Sequence, residues 1–303
     1  MDILALLPHP ALLAAGLLEG LVLASVLALT ALGLSLVFGI MRIVNVAHGE
    51  FFMLGAVLAW MCSDLVASVI GGPAWLGFAI ALLVAPVLVG ALAAAIDWLV
   101  LRRLDHQPDA TIVATIGFLY MIQQAVLGLY GPDARSVAAP VNWRIQLPWF
   151  GYSGYKLLVV AAAILLMLGV WLLLSRTRIG LVMRATRSDP EMALAFGIPV
   201  DRVYAWVFAL GAALAALGAV LIVPIRQAHY LMGGEPLLLA FIVVIIGGLG
   251  SLRGTVVAAL LIGLADGLIS TLFDPVLAKI LATLLVAMVL VIRPQGLFGA
   301  SAA

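Results

Sequence analysis

Residues 20–40 read GLVLASVLALTALGLSLVFGI and contain no charged side chain. A helix needs about 20 predominantly apolar residues to cross the roughly 30 Å of hydrocarbon in a bilayer, so this stretch predicts a transmembrane helix. Further apolar runs cover residues 51–62, 74–101, 111–129, 157–174, 203–225, 237–246, 255–273 and 276–292. The sequence therefore predicts an all-α, polytopic integral membrane protein of eight or nine spans, with one transmembrane domain over residues 1–303.

The composition indicates that lipid surrounds most of the chain. Hydrophobic residues make up 66% of the 303 positions and charged residues only 10%, whereas roughly a quarter of the residues in soluble domains are charged. The net charge of +1 gives no reason to expect a nucleic-acid partner. Membrane lipid is the surrounding partner that this composition predicts.

Motifs for chemistry are missing from the sequence. Without a G-x-x-x-x-G-K-[ST] phosphate loop, the chain is not expected to hydrolyse ATP by the usual P-loop route. The four histidines are scattered and Cys62 is the single cysteine, so no metal or haem ligand set is predicted. No serine, histidine and acid combination forms a nucleophilic motif. We expect no enzyme, with no catalytic residue, no metal and no cofactor.

The lysine and arginine residues indicate the orientation, because short loops rich in them stay in the cytoplasm. A nine-span topology with a cytoplasmic C-terminus places ten of them inside and five outside. The inner ten are Arg42, Arg102, Arg103, Arg176, Arg178, Arg184, Arg187, Arg202, Arg253 and Arg293; the outer five are Arg135, Arg144, Lys156, Arg226 and Lys279. We therefore expect the N-terminus to lie outside and the C-terminus in the cytoplasm.

The apolar run at 237–246 has about half the normal crossing length, because Gly247, Gly248 and Gly250 follow it. It predicts a broken or re-entrant helix. Glycines permit a tight backbone and close approach of a neighbour, so the 247–254 block fits either a gate or a fixed turn.

Small residues at four-residue spacing predict helix packing, since lipid removes the hydrophobic drive between helices and close backbone approach replaces it. The pattern is formed by Gly211, Ala215 and Ala219, and again by Gly263 and Gly267. The letters alone indicate no internal repeat.

A polar interval at residues 175–202 separates the fifth and sixth spans. Ser188, followed three residues later by Glu191, fits a capping box, and Pro190 suits the first turn of a helix. Gly197 can adopt the left-handed conformation that closes a helix, and a proline follows two residues later. The interval therefore predicts a cytoplasmic helix of about two turns.

Such a short helix is marginal in water, because nucleation costs more than two turns return. Met192, Ala193 and Phe196 fall on one side at helical spacing and predict an exposed apolar face. Two interpretations stay open: the helix docks on a partner protein, or it lies against the membrane surface or the loops of its own chain.

The same segment resembles the E-A-A-x-x-x-G loop of bacterial ABC importer permeases. Glu191, Ala193 and Gly197 occupy three positions of that motif, and Met192 replaces its first alanine. In that family the loop forms a coupling helix that inserts into the ATP-binding subunit, so the resemblance implies that the segment transmits force. The residues implicated are Arg187, Ser188, Asp189, Glu191, Met192, Ala193, Phe196 and Gly197.

Further blocks resemble the branched-chain amino acid permease family of ABC importers. They are GLSLVFGI at 33–40, NVAHGEF at 45–51, LGA at 54–56, GGLGS at 247–251 and RPQGLFG at 293–299. The blocks keep their order over nearly the whole chain.

This resemblance implies an ABC importer permease fold in the bacterial inner membrane, moving branched-chain or similar amino acids inward. The implied partners are ATP-binding subunits, a second permease subunit that is usually a related but different chain, and a periplasmic or extracellular substrate-binding protein. The alternative substrates within the family are urea, short amides and other neutral or aromatic acids, and no residue here decides among them.

Polar residues between the apolar runs are candidates for the substrate pathway, because they are costly in lipid. Asn45, His48 and Glu50 form the most concentrated set, and a helix broken there would direct backbone N–H groups at a substrate carboxylate. The alternative is that these residues only cap and turn the chain at the cytoplasmic boundary, where the predicted topology places them.

Other pathway candidates are more isolated. Gln123 and Gln124 can bond either a zwitterion or a neighbouring helix. Asp266, beside two packing glycines, is either a partner in an interhelix hydrogen bond or a pathway residue. Asp97, about one turn before Arg102, is expected to reach interfacial water. The resemblance adds Gly247, Gly248 and Gly250, because it places their block in the translocation region.

The rival from another class is a secondary carrier or channel that needs no ATPase, with Asp266, Glu50 or Asp97 carrying protons. It predicts uptake by the purified chain alone, in vesicles under an ion gradient. An intramembrane enzyme lacks any paired acid, metal set or nucleophile in this sequence.

Overall fold

The computed structural model describes residues 10–292 and 296–298. Within these residues the chain forms eleven α-helices and one two-stranded hairpin. In chain order they are α1 (Pro10–Met41), α2 (His48–Leu65), α3 (Ala74–Leu99), α4 (Pro108–Tyr130), β1 (Arg144–Gln146), β2 (Gly151–Ser153), α5 (Gly154–Arg176), α6 (Arg178–Ser188), α7 (Pro190–Ala195), α8 (Val200–Ile222), α9 (Gly234–Gly247), α10 (Leu252–Leu272) and α11 (Pro275–Ile292). A π-helical turn, Val66–Ile70, continues α2, and a 3₁₀ turn, Leu101–Leu104, follows α3. The strands β1 and β2 pair antiparallel, with Ile145 opposite Tyr152.

Seven of the described helices are long and apolar enough to cross a membrane, judged by length and composition. They are α1, α2 with its π-helical turn, α3 with its 3₁₀ turn, α4, α5, α8 and α10. The shorter α9 and the C-terminal α11 account for the two remaining apolar runs. The predicted all-α, polytopic fold is confirmed.

Helix α1 lies at the centre of the bundle, and residues 24–37 are all buried. It packs along α10, where Gly263 and Gly267 lie against the backbone of α1 at Ala24 and Gly20. Because lipid provides no hydrophobic drive between helices, this close approach of two backbones supplies the attraction. The predicted packing role of the two α10 glycines is confirmed.

The crossing of α1 and α8 is made by two glycines that face each other. A Cβ at Gly33 would overlap the carbonyl oxygen of Gly211, and a Cβ at Gly211 would lie 2.8 Å from that of Gly33. Farther along α8, Gly218 lies against Val26 and Thr30, so the two helices run antiparallel. Of the predicted small residues on α8, Gly211 makes this crossing, and Ala215 and Ala219 are fully buried.

A second reciprocal contact joins the start of α2 to the residues just before α9. A Cβ at Gly49 would overlap the carbonyl oxygen of Gly233, and the reverse also holds. The contacts of the first helices correspond to those of later ones. Helix α1 packs on α10, and its counterpart α8 packs on α3. Helix α2 packs on α8, and its counterpart α9 packs on α1. The helices α1 to α3 and α8 to α10 therefore form an inverted pair, since α1 and its counterpart α8 run antiparallel; such an arrangement is common in transporters.

Helix α9 is too short to cross the bilayer by itself. Its 14 residues extend about 21 Å, compared with roughly 30 Å of hydrocarbon. It begins beside Gly49 inside the bundle and ends at Gly247. In the turn that follows, Gly250 has a φ of +76° and packs on Gly39 of α1. The predicted short helix is confirmed.

Residues 296–298 close over the carboxyl end of α9. The amide of Leu297 donates to the carbonyl of Ile246 at 2.7 Å, and the amide of Phe298 donates to that of Gly247 at 3.2 Å. The other residues of the C-terminal block, Arg293, Pro294, Gln295 and Gly299, lie outside the described residues.

We expect Gly33→Ala to destabilise the protein, because the new Cβ would meet the backbone of α8 rather than a flexible side chain. Overpacking of this kind costs about 1–3 kcal/mol, which thermal unfolding of the purified chain in detergent would detect. Gly169→Ala is the matched control, since nothing lies within 4 Å of a Cβ there. Equal unfolding temperatures for the two variants would contradict the close α1–α8 crossing.

Candidate functional site

Helix α7 is a six-residue helix at the position predicted between α6 and α8. The Oδ1 atom of Asp189 accepts a hydrogen bond from the backbone amide of Met192 at 3.0 Å, so Asp189 is the N-cap. The predicted capping box at Ser188 is wrong. Ser188 is the last residue of α6, and its hydroxyl donates to the carbonyl of Arg184 at 3.1 Å. Pro190 occupies the first turn as predicted.

The carboxyl end of α7 is closed by Gly197, as predicted. Gly197 has a φ of +80°, a conformation that glycine adopts without the steric cost of a side chain. Its amide donates to the carbonyl of Leu194 at 2.9 Å, and the amide of Ile198 donates to that of Ala193 at 3.0 Å. Both ends of this short helix are therefore fixed by hydrogen bonds.

Three large apolar side chains stand out from α7 and its C-cap. Met192 is 52% exposed, Leu194 58% and Phe196 80%. The prediction that Ala193 belongs to this face is wrong, because Ala193 is buried against the rest of the chain. Six residues are too few for periodicity to define a face, and Phe196 lies beyond the last helical residue. We call Met192, Leu194 and Phe196 the α7 surface; the exposed Glu191 borders it.

Helix α6, which supports α7, was not predicted from the sequence. Its N-cap is Thr177, whose Oγ1 atom accepts from the amide of Gly180 at 3.1 Å. It buries Gly180, Met183 and Thr186, which are three residues apart. A threonine cap followed by this spacing was an available helix signal in the sequence.

Asn45, His48 and Glu50 lie inside the bundle, each no more than 1% exposed. His48 donates from Nε2 to the carbonyl of Thr30 at 2.9 Å. The Oδ1 atom of Asn45 accepts from the amide of Ala47 at 3.1 Å, which shapes the turn before α2. Thr30 lies about 16 Å along the axis from the end of α1. Asn45 therefore shapes the turn before α2, whereas His48 reaches the middle of α1 rather than its end.

A hydrogen bond between Glu50 and Gln123 joins α2 to α4. The Nε2 atom of Gln123 donates to Oε1 of Glu50 at 2.9 Å, whereas Gln124 is exposed. Nearby, the amide of Val46 donates to Oγ1 of Thr115 at 3.2 Å. Of the two glutamine candidates, only Gln123 bonds one of the buried polar residues, Glu50. We call Asn45, His48, Glu50 and Gln123 the polar cluster.

Two buried atoms of the polar cluster have no hydrogen-bond partner in the described part of the chain. They are Nδ1 of His48 and Oε2 of Glu50. An unpaired buried acceptor costs about 1–3 kcal/mol or more when charged, so a ligand or a second chain that supplies donors would be stabilised here. Helix α4, which closes one side of the cluster, is mostly exposed.

Asp97 does not reach interfacial water near Arg102, so that expectation is wrong. It is 1% exposed, and its Oδ1 atom lies 2.9 Å from Nε2 of His106. The 3₁₀ turn after α3 reverses the chain, so that His106 lies against Asp97 of α3. Arg102 instead pairs with Asp201 of α8 at 2.9 Å.

A cavity of about 130 Å³ lies between α1, α2, α8 and α9. Its apolar walls include Leu23, Val26, Leu27, Phe52, Ile222 and Leu239, and Thr30 also lines it. Because His48 bonds the carbonyl of Thr30, the polar cluster and this cavity meet at that residue. We call it the α1–α9 cavity.

Charged side chains form one rim of the α1–α9 cavity. Glu235 accepts from Arg226 at 3.3 Å and pairs with Lys279 at 3.2 Å. Asp266 is half-buried on α10 and close enough to Glu235 to interact with its charge. The pathway candidates therefore lie in two separate places. Asp266 lies near this rim, at the start of α9, whereas Gly247, Gly248 and Gly250 lie at the opposite end of α9.

Three features define a membrane transport subunit. They are the inverted pair of helix sets, the helices α2 and α9 that begin inside the bundle, and the short capped helix α7 outside it. Residues 16–292 match the family model described as "Branched-chain amino acid transport system / permease component". The chain therefore belongs to this permease family and is a multi-pass inner-membrane protein.

Named relatives extend over nearly the whole chain. It is 30% identical over 296 residues to the high-affinity branched-chain amino acid transport system permease protein BraD of Pseudomonas aeruginosa, covering 93% of this chain and 94% of that protein. It is 29% identical over 299 residues to the corresponding permease protein LivH of Escherichia coli, with coverage of 93% and 94%. No solved structure matches the chain significantly.

We expect Gln123→Ala to lower the free energy of unfolding by about 1–3 kcal/mol, because it leaves the buried Glu50 carboxylate without its donor. Gln124→Ala is the matched control, since the same change at an exposed neighbour should stay within about 0.5 kcal/mol of the wild type. Denaturant unfolding in detergent measures both. If both variants unfold alike, the Glu50–Gln123 hydrogen bond does not hold α4 to α2.

Proposed function

We propose that this chain is the membrane-spanning permease subunit of an ATP-driven ABC importer that moves branched-chain or similar amino acids inward. The observation that carries the proposal is the α7 surface. A six-residue helix exposes three large apolar side chains on a chain whose sequence has no phosphate-binding loop of its own. An ATP-binding subunit is the partner whose docking would cover that surface and supply the energy.

The position of α7 suits a coupling element. It is capped at Asp189, closed at Gly197 and packed between α6 and α8. A displacement of α7 would therefore act on α8 directly. Helix α8 crosses α1 where Gly211 meets Gly33, beside His48 of the polar cluster, and farther along where Gly218 meets Thr30. Force applied at Arg187 to Gly197 would thus reach the region where a substrate would pass.

The remaining parts of the importer follow from the same arrangement. We place the N-terminus outside and the C-terminus in the cytoplasm, so that the α7 surface faces an ATPase and the charged rim faces a substrate-binding protein. Helix α4 exposes Gln124 and Tyr120, and an exposed polar side chain in a span is costly in lipid. A second permease, related to this chain, would cover α4 and complete the pathway.

The α1–α9 cavity supports an amino-acid substrate. A zwitterion with an aliphatic side chain needs an apolar wall and one charged group for each of its ends. The wall is provided by residues such as Leu27 and Phe52, and the charges are those of Arg226 and Glu235. The curated relatives are named as branched-chain amino acid permeases, which agrees with this chemistry.

Phe196→Ser tests the coupling step, because Phe196 is 80% exposed and its loss should not unfold the chain. We expect at least a tenfold loss of co-purifying ATPase activity and of ATP-driven uptake, with the same amount of permease in the membrane. Glu191→Arg, at the border of the α7 surface, should weaken the association as well. Co-purification with the tagged permease, followed by ATP hydrolysis and mass spectrometry, measures this.

Trp149→Ser is the matched control for Phe196→Ser. Trp149 is 55% exposed, outside any helix and far from α7 in the sequence, so its loss should leave the ATPase bound. If both variants retain the ATPase, or if neither the wild type nor the variants ever bind one, the coupling proposal is wrong.

Uptake by the reconstituted complex tests the substrate and the rival mechanism. We expect labelled leucine to enter proteoliposomes only with ATP and substrate-binding protein, and unlabelled isoleucine or valine to compete while urea and acetamide do not. Competition by urea or acetamide alone would indicate the alternative substrate class. Uptake by the purified chain alone under an ion gradient would instead support a secondary carrier.

A further inference from the structure

A groove of about 940 Å³ runs between α1, α5, α6 and the turn before α10, apart from the polar cluster and the α7 surface. Its wall is largely apolar and includes Leu36, Ile40, Met167, Val170, Leu174 and Val256. A largely apolar groove of this size suits hydrocarbon chains rather than a small polar solute.

Three arginines line one end of this apolar groove. Arg184 and Arg187 come from α6 and Arg253 from α10, and all three are exposed. None of them forms an ion pair with a described residue. The guanidinium of Arg187 lies over Gly250, within 3.7 Å of where a Cβ would stand. Three cations brought together without a counter-ion make this end of the groove complementary to an anion.

Two further features of the groove suit a phospholipid headgroup. The Oγ atoms of Ser35 and Ser175 are buried without a hydrogen-bond partner, and both residues line the groove. Trp171, also lining it, is half-exposed, and tryptophan rings prefer the layer between hydrocarbon and water. The groove thus combines an apolar wall with exposed positive charge, two buried hydroxyl groups without a partner and a half-exposed tryptophan.

We propose that this groove binds an anionic phospholipid of the cytoplasmic leaflet. Its acyl chains lie along the apolar wall, and its phosphate is held by Arg184, Arg187 and Arg253. Arginine suits this task because its planar guanidinium donates two parallel hydrogen bonds to phosphate oxygens. Basic pockets between transmembrane helices on the cytoplasmic side are where anionic headgroups bind.

A second copy of this chain fits the groove less well than a lipid does. The neighbouring exposed surface of the chain carries more arginine, at Arg176 of α5 and Arg178 of α6. Pairing two such surfaces would place like charges together, which costs several kcal/mol. A phospholipid instead supplies the missing anion and the hydrocarbon chains at once.

The bound lipid would join elements that have no direct link through ion pairs. Its phosphate contacts α6, which continues into α7, and also Arg253 at the start of α10, which packs along α1. The headgroup would therefore connect the segment next to the α7 surface to the centre of the bundle. This site goes beyond the importer function proposed above: it rests on the orientation proposed there, and it does not require an ATPase on α7.

The purified, delipidated full-length chain provides the test, without ATPase or transported substrate. In neutral detergent we expect added phosphatidylglycerol to raise the unfolding temperature by several degrees and phosphatidylcholine to raise it far less. The triple variant R184Q/R187Q/R253Q should lose most of the phosphatidylglycerol effect. The matched triple R103Q/R176Q/R178Q, which removes the same charge from exposed positions outside the groove, should keep it.

Several outcomes would overturn the proposal. Equal protection by phosphatidylcholine, or equal loss in both triple variants, would mean that the lipid acts only on the general surface. A Val256→Cys variant in a Cys62→Ala background would reveal a second copy in the groove by forming a disulfide between chains. If the first triple variant does not fold, Arg253→Gln alone is compared with Arg103→Gln, and equal lipid effects in that pair count against the site.

Discussion

The contact of helix backbones with α1 is the constraint on which the rest of the bundle depends. In lipid, apolar side chains gain nothing by leaving their surroundings, so helices associate where small residues let backbones touch. Gly33 meets Gly211, and Gly20 meets the α10 backbone at Gly263. These contacts hold α8 and α10 against α1, and α2 and α9 complete the walls of the α1–α9 cavity beside the polar cluster.

The same close packing links the proposed functional surfaces. Helix α8 starts next to α7 and crosses α1 near Thr30, whose carbonyl accepts from His48. Because packed interiors transmit strain, movement of a short helix outside the bundle would be felt at the polar cluster. The groove beside α6 is a third proposed functional surface, since an anionic lipid bound there would connect α6 to α10.

Local signals in the sequence predicted local structure well. Pro190 and Gly197 marked the ends of α7 because a missing amide proton and a left-handed backbone are properties of single residues. The cap was misplaced by one residue, since Ser188 and Asp189 are both good caps and the end of α6 decides between them. Ala193 was placed on the wrong face because the packing of α7 against α8 sets its rotation.

The sequence by itself determined that this is a helical membrane protein, how its apolar runs divide the chain, and which family motifs it carries. These properties depend on composition and on residues close together in the chain. Only the tertiary structure decided that Glu50 meets Gln123, that Asp97 meets His106 and that three arginines converge on one groove. Each of these depends on which helices are neighbours, and in lipid that choice follows from three-dimensional backbone fit rather than from hydrophobic pattern.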